Sequence, residues 1–228
     1  MRVSLIIPAL NEAVCLGPLL AEVVLEHIHE VIVVDNGSTD DTAAVARRAG
    51  ATVVAEPRRG YGYACAAGVA AASGDLLAFM DGDGSFLPHE LPTLLRPLRE
   101  NEADLVLGTR MRGGMVRGAM PAHQAFGNRL VARLLHLLYG LRLSDLGPYR
   151  AIRRELLDSL VMCERTYGWP VEMMVKAARR RAHIVELPVS YRPRFAGKSK
   201  VGGTLRGTLL ATYRIFSVTL RYARWSAG

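Results

Sequence analysis

Four short apolar runs, each followed by a polar or glycine-containing turn and then a helical stretch, constrain the fold of this chain more than any other feature. Val3-Ser4-Leu5-Ile6-Ile7-Pro8 is β-branched and apolar, and a helical pattern follows it to about residue 27. Val31-Ile32-Val33-Val34 repeats the arrangement, with Ser38 or Thr39 placed to cap a helix running to Ala49. Residues 51–55 make a third strand, 62–72 a helix of small residues, and 76–80 a fourth strand. Strands that are apolar throughout and alternate with helices predict an α/β fold with a mostly parallel sheet flanked by helices on both faces. Ligands of such sheets lie beyond the carboxyl ends of the strands. Residues 8–12, 35–40, 58–62 and 81–83 all fall there, so four separate segments are expected to build one cleft.

The chemistry of that cleft is set by Asp81-Gly82-Asp83, two carboxylates one residue apart at the end of the fourth apolar run. Oxygen ligands of this kind suit Mg²⁺ or Mn²⁺, ions that keep waters and bridge to substrate phosphates. Gly82 lets a diphosphate approach the backbone closely. A plain Asp-Gly turn is the bland reading. A calcium loop fails on spacing, because the twelfth position from Asp81 is Pro92, which has no carboxylate. A phosphatase with Asp81 as nucleophile uses a similar Asp-x-Asp-Gly-Ser/Thr motif, normally on the first strand, whereas here it follows about the fourth.

Ile7-Pro8-Ala9-Leu10-Asn11-Glu12, Val34-Asp35-Asn36-Gly37-Ser38-Thr39-Asp40 and Asp81-Gly82-Asp83, in this order and spacing, resemble the family 2 glycosyltransferases of GT-A fold, a Rossmann-like architecture. The runs 144–150 (Ser-Asp-Leu-Gly-Pro-Tyr-Arg), 186–192 and 194–200 resemble the dolichol-phosphate mannosyltransferase and glucosyltransferase branch. The resemblance implies a nucleotide-sugar pocket lined by Pro8, Ala9, Asn11, Glu12, Asp35, Arg58, Gly62, Asp81 and Gly82, with metal on Asp81 and Asp83. For Asp35 a structural cap of the following turn is the alternative, and Arg59 competes with Arg58 as the diphosphate contact. The branch usually carries a Gln two residues after the second acid, where this chain has Ser85, and an acceptor-phosphate Arg where this chain has residues 123–128.

The implied reaction moves a hexose from a UDP- or GDP-linked donor, with inversion, to a polyprenyl phosphate. The leaving diphosphate is neutralised by a divalent ion on Asp83 with Asp81 beside it. A phosphate acceptor is already ionised and needs cations to position it; Arg110, Arg129, Arg150, Arg194 and Lys198 are the candidates. A hydroxyl acceptor needs a general base, for which Glu172 in Gly168-Trp169-Pro170-Val171-Glu172 is the candidate. Its other reading is a helix-start glutamate facing the macrodipole. The Gly- and Met-rich segment 111–120 is expected to close over the donor.

The 228 residues, half of them hydrophobic, suffice for one core, and no linker divides them. Cys15, Cys65 and Cys163 show no paired spacing, which argues against disulfides and zinc. The N-terminal apolar run is too short for a signal peptide, so a cytoplasmic protein is expected. The formal charge of +8 sits in the tail: residues 192–228 hold eight Lys/Arg and no acid, while the other 21 Lys/Arg equal the 21 Asp/Glu. Residues 1–202 are expected to form the catalytic domain and 203–228 a helix of the same unit, with Arg206, Arg214, Arg221 and Arg224 in a wedge of roughly 80°. This pattern suits a helix on an anionic membrane surface at the inner face, with sheet packing or a homodimer contact as the other readings. Nucleic acid is a poor alternative, because the basic side chains accompany aliphatic residues rather than an aromatic stacking platform and no DNA- or RNA-binding motif is present.

Overall fold

The computed structural model describes residues 1–116, 119–120, 122–197 and 205–224. Seven strands form one sheet in the order β3-β2-β1-β4-β6-β5-β7. They are β1 (Val3–Ala9), β2 (Glu30–Asp35), β3 (Thr52–Ala55), β4 (Leu76–Phe79), β5 (Leu105–Thr109), β6 (Arg150–Arg153) and β7 (Ile184–Pro188). All neighbours are parallel except β6, which runs antiparallel between β4 and β5. The chain winds outward from β1 to β2 and β3, then returns to β4 on the other side of β1. That reversal opens a crevice at the carboxyl ends of β1, β2 and β4.

Both faces of the sheet are covered. On one, Leu5, Ile7 and Val33 pack against α1 (Ala13–Ala21), α2 (Thr42–Arg48) and α4 (Leu91–Arg99). On the other, Ile6, Ile32, Val34 and Phe79 pack against α3 (Tyr61–Ala71), α5 (Ala122–Tyr139), α6 (Arg154–Ser159) and α7 (Trp169–Arg179). Alternate residues of β1 therefore serve opposite cores, which is why its run is apolar throughout. The small residues of α3 permit close approach: a Cβ on Gly68 would lie 2.4 Å from Ile6 Cγ2.

Three expectations need correction. The helix from residue 13 ends at Ala21, because Val24, a β-branched residue, is extended, and only a 3₁₀ turn forms at Leu25–His27. Neither Ser38 nor Thr39 caps α2. Ser38 Oγ instead accepts the Asn11 N–H (2.9 Å), the Thr39 N–H goes to Asn11 Oδ1 (2.8 Å), and Asp40 Oδ1 takes the Thr42 N–H (3.0 Å). The segment after β5 is tied down through residue 116: Val116 N–H donates to Tyr191 O, and Tyr191 N–H donates to Gly114 O.

The C-terminal helix α8 (Leu205–Arg221) continues into a 3₁₀ turn, Tyr222–Arg224. One face of it packs into the protein, as the sheet-packing reading of the charge pattern has it. Val218 and Tyr222 belong to the core, and Tyr139 Oη donates to the Thr219 carbonyl. Arg206 and Arg224 lie outside the residues whose side chains are described, and the Nε of Arg214 is buried. Apolar residues dominate the contact because α7 and α5 offer an apolar face that must be covered.

Candidate functional site

A cavity of about 550 Å³ opens at the crevice above β1 and β4. Pro8, Ala9 and Leu10 come from the end of β1, Asn36 from the end of β2, and Asp81, Gly82 and Asp83 from the end of β4. Asn36 fixes the third wall: its Nδ2 donates to Glu56 O (2.9 Å) and Arg58 O (2.8 Å), and its Oδ1 accepts the Gly60 N–H (2.9 Å). These bonds hold Arg59, Gly60 and Tyr61 at the cavity edge.

Asp81 and Asp83 both line the cavity. Burial, then the adjacent charge of Asp83, pushes the Asp81 carboxyl up to about 7. Asp83 Oδ1 is taken by Ser85, which donates its N–H (3.0 Å) and Oγ–H (2.6 Å). Ser85 therefore orients Asp83 where a further oxygen ligand had been the family pattern. Oδ2 stays turned toward Arg194 Nη1, 4.0 Å away. Gly82 is pressed against β1, since a Cβ there would lie 3.2 Å from Ile7 Cγ2. Two neighbouring carboxylates, with the pKa of Asp81 raised, fit a hard divalent cation. Among the described residues no cluster of three or more His, Cys, Asp or Glu could hold a metal. The remaining coordination would fall to phosphate oxygens and water.

Because an ionised Asp81 is disfavoured in the fold, its contribution to stability is full below its ordinary value of 3.8 and is lost as pH rises through about 7. Asp81→Asn, without metal, is expected to melt with the wild type near pH 4 and to exceed it at pH 8 by on the order of 2 kcal/mol, a few degrees in Tm. Thermal melts in chelator across this range test it. A difference that does not change with pH would refute the assignment.

Arg194 reaches the site from the loop after β7. Its Nη2 lies 2.8 Å from both Glu12 oxygens, while Arg192 Nε donates to Gly84 O and the Phe195 N–H donates to Asp83 O (3.1 Å). The Phe195 ring occupies the space a side chain on Gly84 would need, with 2.2 Å to a Cβ there.

Several sequence-predicted residues are placed elsewhere. Asn11 adopts a left-handed backbone (φ 51°) and bridges β1 to the β2 turn rather than lining the cavity. Asp35 Oδ1 accepts the Ser38 N–H (2.9 Å), and the neighbouring Asn36 takes the cavity position. Arg58 pairs with Glu56 (2.7 Å), holding that carboxyl down at about 2, and stacks on Tyr63; Arg59 is the arginine at the cavity. Gly62 is buried against the 164–165 backbone, and Gly60 and Tyr61 stand at the edge.

Among the candidate cations, Arg110 is buried in a bidentate pair with Asp145 (2.7 and 2.8 Å), to which Asn128 also donates. Burial opposes the guanidinium's charge, but those bonds outweigh it. Arg150 is fully buried and donates to the carbonyls of Pro170 (2.9 Å) and Leu146, and burial lowers its pKa to about 10. Arg129 is exposed on α5 and does not line the cavity. Lys198 lies outside the described residues. Of the five candidates, Arg194 alone among the described residues borders the cavity.

Glu172 is corrected most sharply. Its carboxylate is fully buried and accepts hydrogen bonds from the Cys163 N–H (3.0 Å), the Glu164 N–H (2.7 Å) and Tyr222 Oη (2.6 Å), with Lys176 Nζ at 2.9 Å. Burial alone would raise its pKa, yet these donors hold it below the ordinary value. It does not reach the cavity and cannot act there as a general base. The remaining lining, which sequence reasoning missed, comes from Thr166, Tyr167 and Pro170 before and in α7, Pro148, and Leu210, Ala211 and Ile215 of α8.

Residues 4–161 match the glycosyl transferase family 2 profile. The chain belongs to that family. A phosphatase with an Asp81 nucleophile is thereby ruled out, and the protein is a glycosyltransferase. This family 2 chain is 42% identical over 216 residues to an uncharacterized glycosyltransferase of Mycobacterium tuberculosis, covering 95% of this chain and 97% of that protein. A dolichyl-phosphate hexose transferase of Haloferax volcanii is 34% identical over 194 residues, covering 84% of this chain and 82% of the other. Among solved structures, glucosyl-3-phosphoglycerate synthase of Mycobacterium tuberculosis, in complex with Mn²⁺, UDP and glucosyl-3-phosphoglycerate, superimposes with a TM-score of 0.80 at 26% identity, covering 98% of this chain and 80% of that one.

Proposed function

We propose that this glycosyltransferase moves a hexose, with inversion, from a nucleoside-diphosphate donor to a polyprenyl phosphate at the cytoplasmic face of a membrane. The observation that carries this reading is the composition of the cavity. Its lining combines the polar Asp81, Asp83, Glu12 and Arg194 with the apolar Pro148, Pro170, Leu210, Ala211 and Ile215. The polar groups suit a diphosphate, and the apolar ones suit an acceptor with a hydrocarbon chain. The Haloferax relative acts on a dolichyl phosphate by its name.

Asp81 and Asp83 would hold Mg²⁺ or Mn²⁺, as the Mn²⁺–UDP complex of the structural neighbour supports. When bound, the ion supplies Lewis-acid stabilisation of the departing diphosphate. Ser85 keeps Asp83 in one rotamer for that task. The Pro8–Leu10 segment and Asn36 shape the nucleotide side of the cavity, with Arg59 at its rim. Arg194, held by Glu12, stands where charge develops on the leaving group and can stabilise it. Tyr167 and Pro170 add apolar surface to the lining, which limits access of water. A phosphate nucleophile carries its own charge, so the burial of Glu172 is no obstacle to transfer.

The second reading is a small phosphorylated acceptor, because the structural neighbour's complex contains glucosyl-3-phosphoglycerate. An acceptor of that kind carries several charges but no apolar chain. Radiolabelled hexose transfer from UDP- and GDP-linked sugars with Mn²⁺, offered either geranyl phosphate or 3-phosphoglycerate, separates the two. Organic-phase label that requires the prenyl phosphate is expected. Label found only in phosphoglycerate refutes the lipid acceptor.

A further inference from the structure

The geometry points to a membrane-docking surface formed jointly by the outward faces of α5 and α8, with an anionic lipid bilayer as its occupant. The inference rests on the lipid-acceptor reading above and names the surface that would bring the cavity to that acceptor. Large apolar side chains face outward on both helices: Phe126 (68% exposed), Leu130 and Leu137 (79%) on α5, and Leu210, Tyr213 (65%) and Leu220 (57%) on α8. At 100° per residue the three on α5 fall within a wedge of about 40°, and the three on α8 within about 80°. They form stripes rather than scattered exposures. Both helices bury their opposite faces in the same core, Val131 and Leu135 from α5 and Val218 and Tyr222 from α8, and they touch through Tyr139 and Thr219, so both stripes face away from that core.

Charge selects the occupant. α5 and α8 together contain five arginines and no Asp or Glu, and Arg129, Arg133 and Arg221 are exposed beside the apolar residues. A two-fold contact with a second copy would set these arginines against themselves. Anionic headgroups would pair with them while the apolar residues enter the acyl boundary. No described helix is long and apolar enough to cross a membrane, which leaves docking in the plane of the interface. Leu210 joins surface to site, because it is half exposed and also lines the cavity. Docking by this face would turn the apolar wall of the cavity toward the bilayer. Deleting α8 is no test, since Val218 and Tyr222 are core residues.

The test is flotation of the full chain with vesicles of phosphatidylcholine alone or with one-third phosphatidylglycerol. The wild type should float with the anionic vesicles, and Leu137→Glu/Leu220→Glu should reduce the bound fraction at least about tenfold. Neither residue lines the cavity, so melting temperature and Mn²⁺-dependent UDP binding should be unchanged in the double variant. Wild-type protein that does not float, or a double variant that floats equally well, overturns the docking surface. A dimer in light scattering that the double variant converts to monomer also overturns it, assigning the face to a second copy. Transfer to soluble geranyl phosphate without vesicles reports separately on the acceptor. Its retention with failed flotation removes the docking surface alone, and its absence with intact flotation removes the acceptor and leaves the docking surface standing.

Discussion

Asp83→Asn is expected to lower hexose transfer by at least about 10³-fold while leaving the fold intact. The asparagine Oδ1 can still accept both hydrogen bonds from Ser85, so the loop after β4 keeps its shape. What disappears is the charge on the oxygen facing Arg194 and the cavity. The loss should therefore appear in turnover and in Mn²⁺ uptake alongside UDP, measured by calorimetry, with no change in circular dichroism. Turnover within tenfold of the wild type would show that the acid pair does not carry the metal chemistry.

Glu172→Gln should do the reverse: destabilise the protein and spare the chemistry. A neutral amide leaves the buried Lys176 ammonium without its carboxylate, and breaking a buried pair in this way costs about 3 kcal/mol or more, roughly 6–12 °C in Tm for a chain of this size. Turnover per folded molecule should stay within a few-fold of wild type. The sign with pH follows from a depressed pKa: the stabilisation is present above the ordinary value of 4.5 and is lost as pH falls through the lower folded value. The gap between wild type and variant should accordingly narrow in acid. A variant that melts normally but is inactive would restore the general-base role.

The parts of this molecule legible in the sequence are those written in local patterns. Apolar runs such as residues 31–34 and 76–79 became strands because burial on both sheet faces demands continuous apolarity. Asp81-Gly82-Asp83 was legible because neighbouring acids at a strand end share one direction whatever the rest of the chain does. Residues whose surroundings come from far along the chain were not legible. Glu172 owes its burial partly to Tyr222, fifty residues later, and Arg110 is neutralised by Asp145, thirty-five residues later. The arginine wedge of the tail suggested a helix on an anionic surface, and Val218 and Tyr222 decide which face of α8 packs inward. Similarly, Arg58 and Arg59 are indistinguishable by sequence. Glu56 draws one outward, and the Asn36 staple leaves the other at the rim.

Because α8 walls the cavity with Leu210 and Ile215 and anchors itself through Tyr222 to the Glu172–Lys176 pair, catalytic preference and folding are inherited through one segment. Chimaeras that graft this terminus from a relative to alter acceptor choice should succeed only when the grafted tail brings a hydroxyl matched to that recipient pair. Terminus and α7 would then behave as a single exchangeable module.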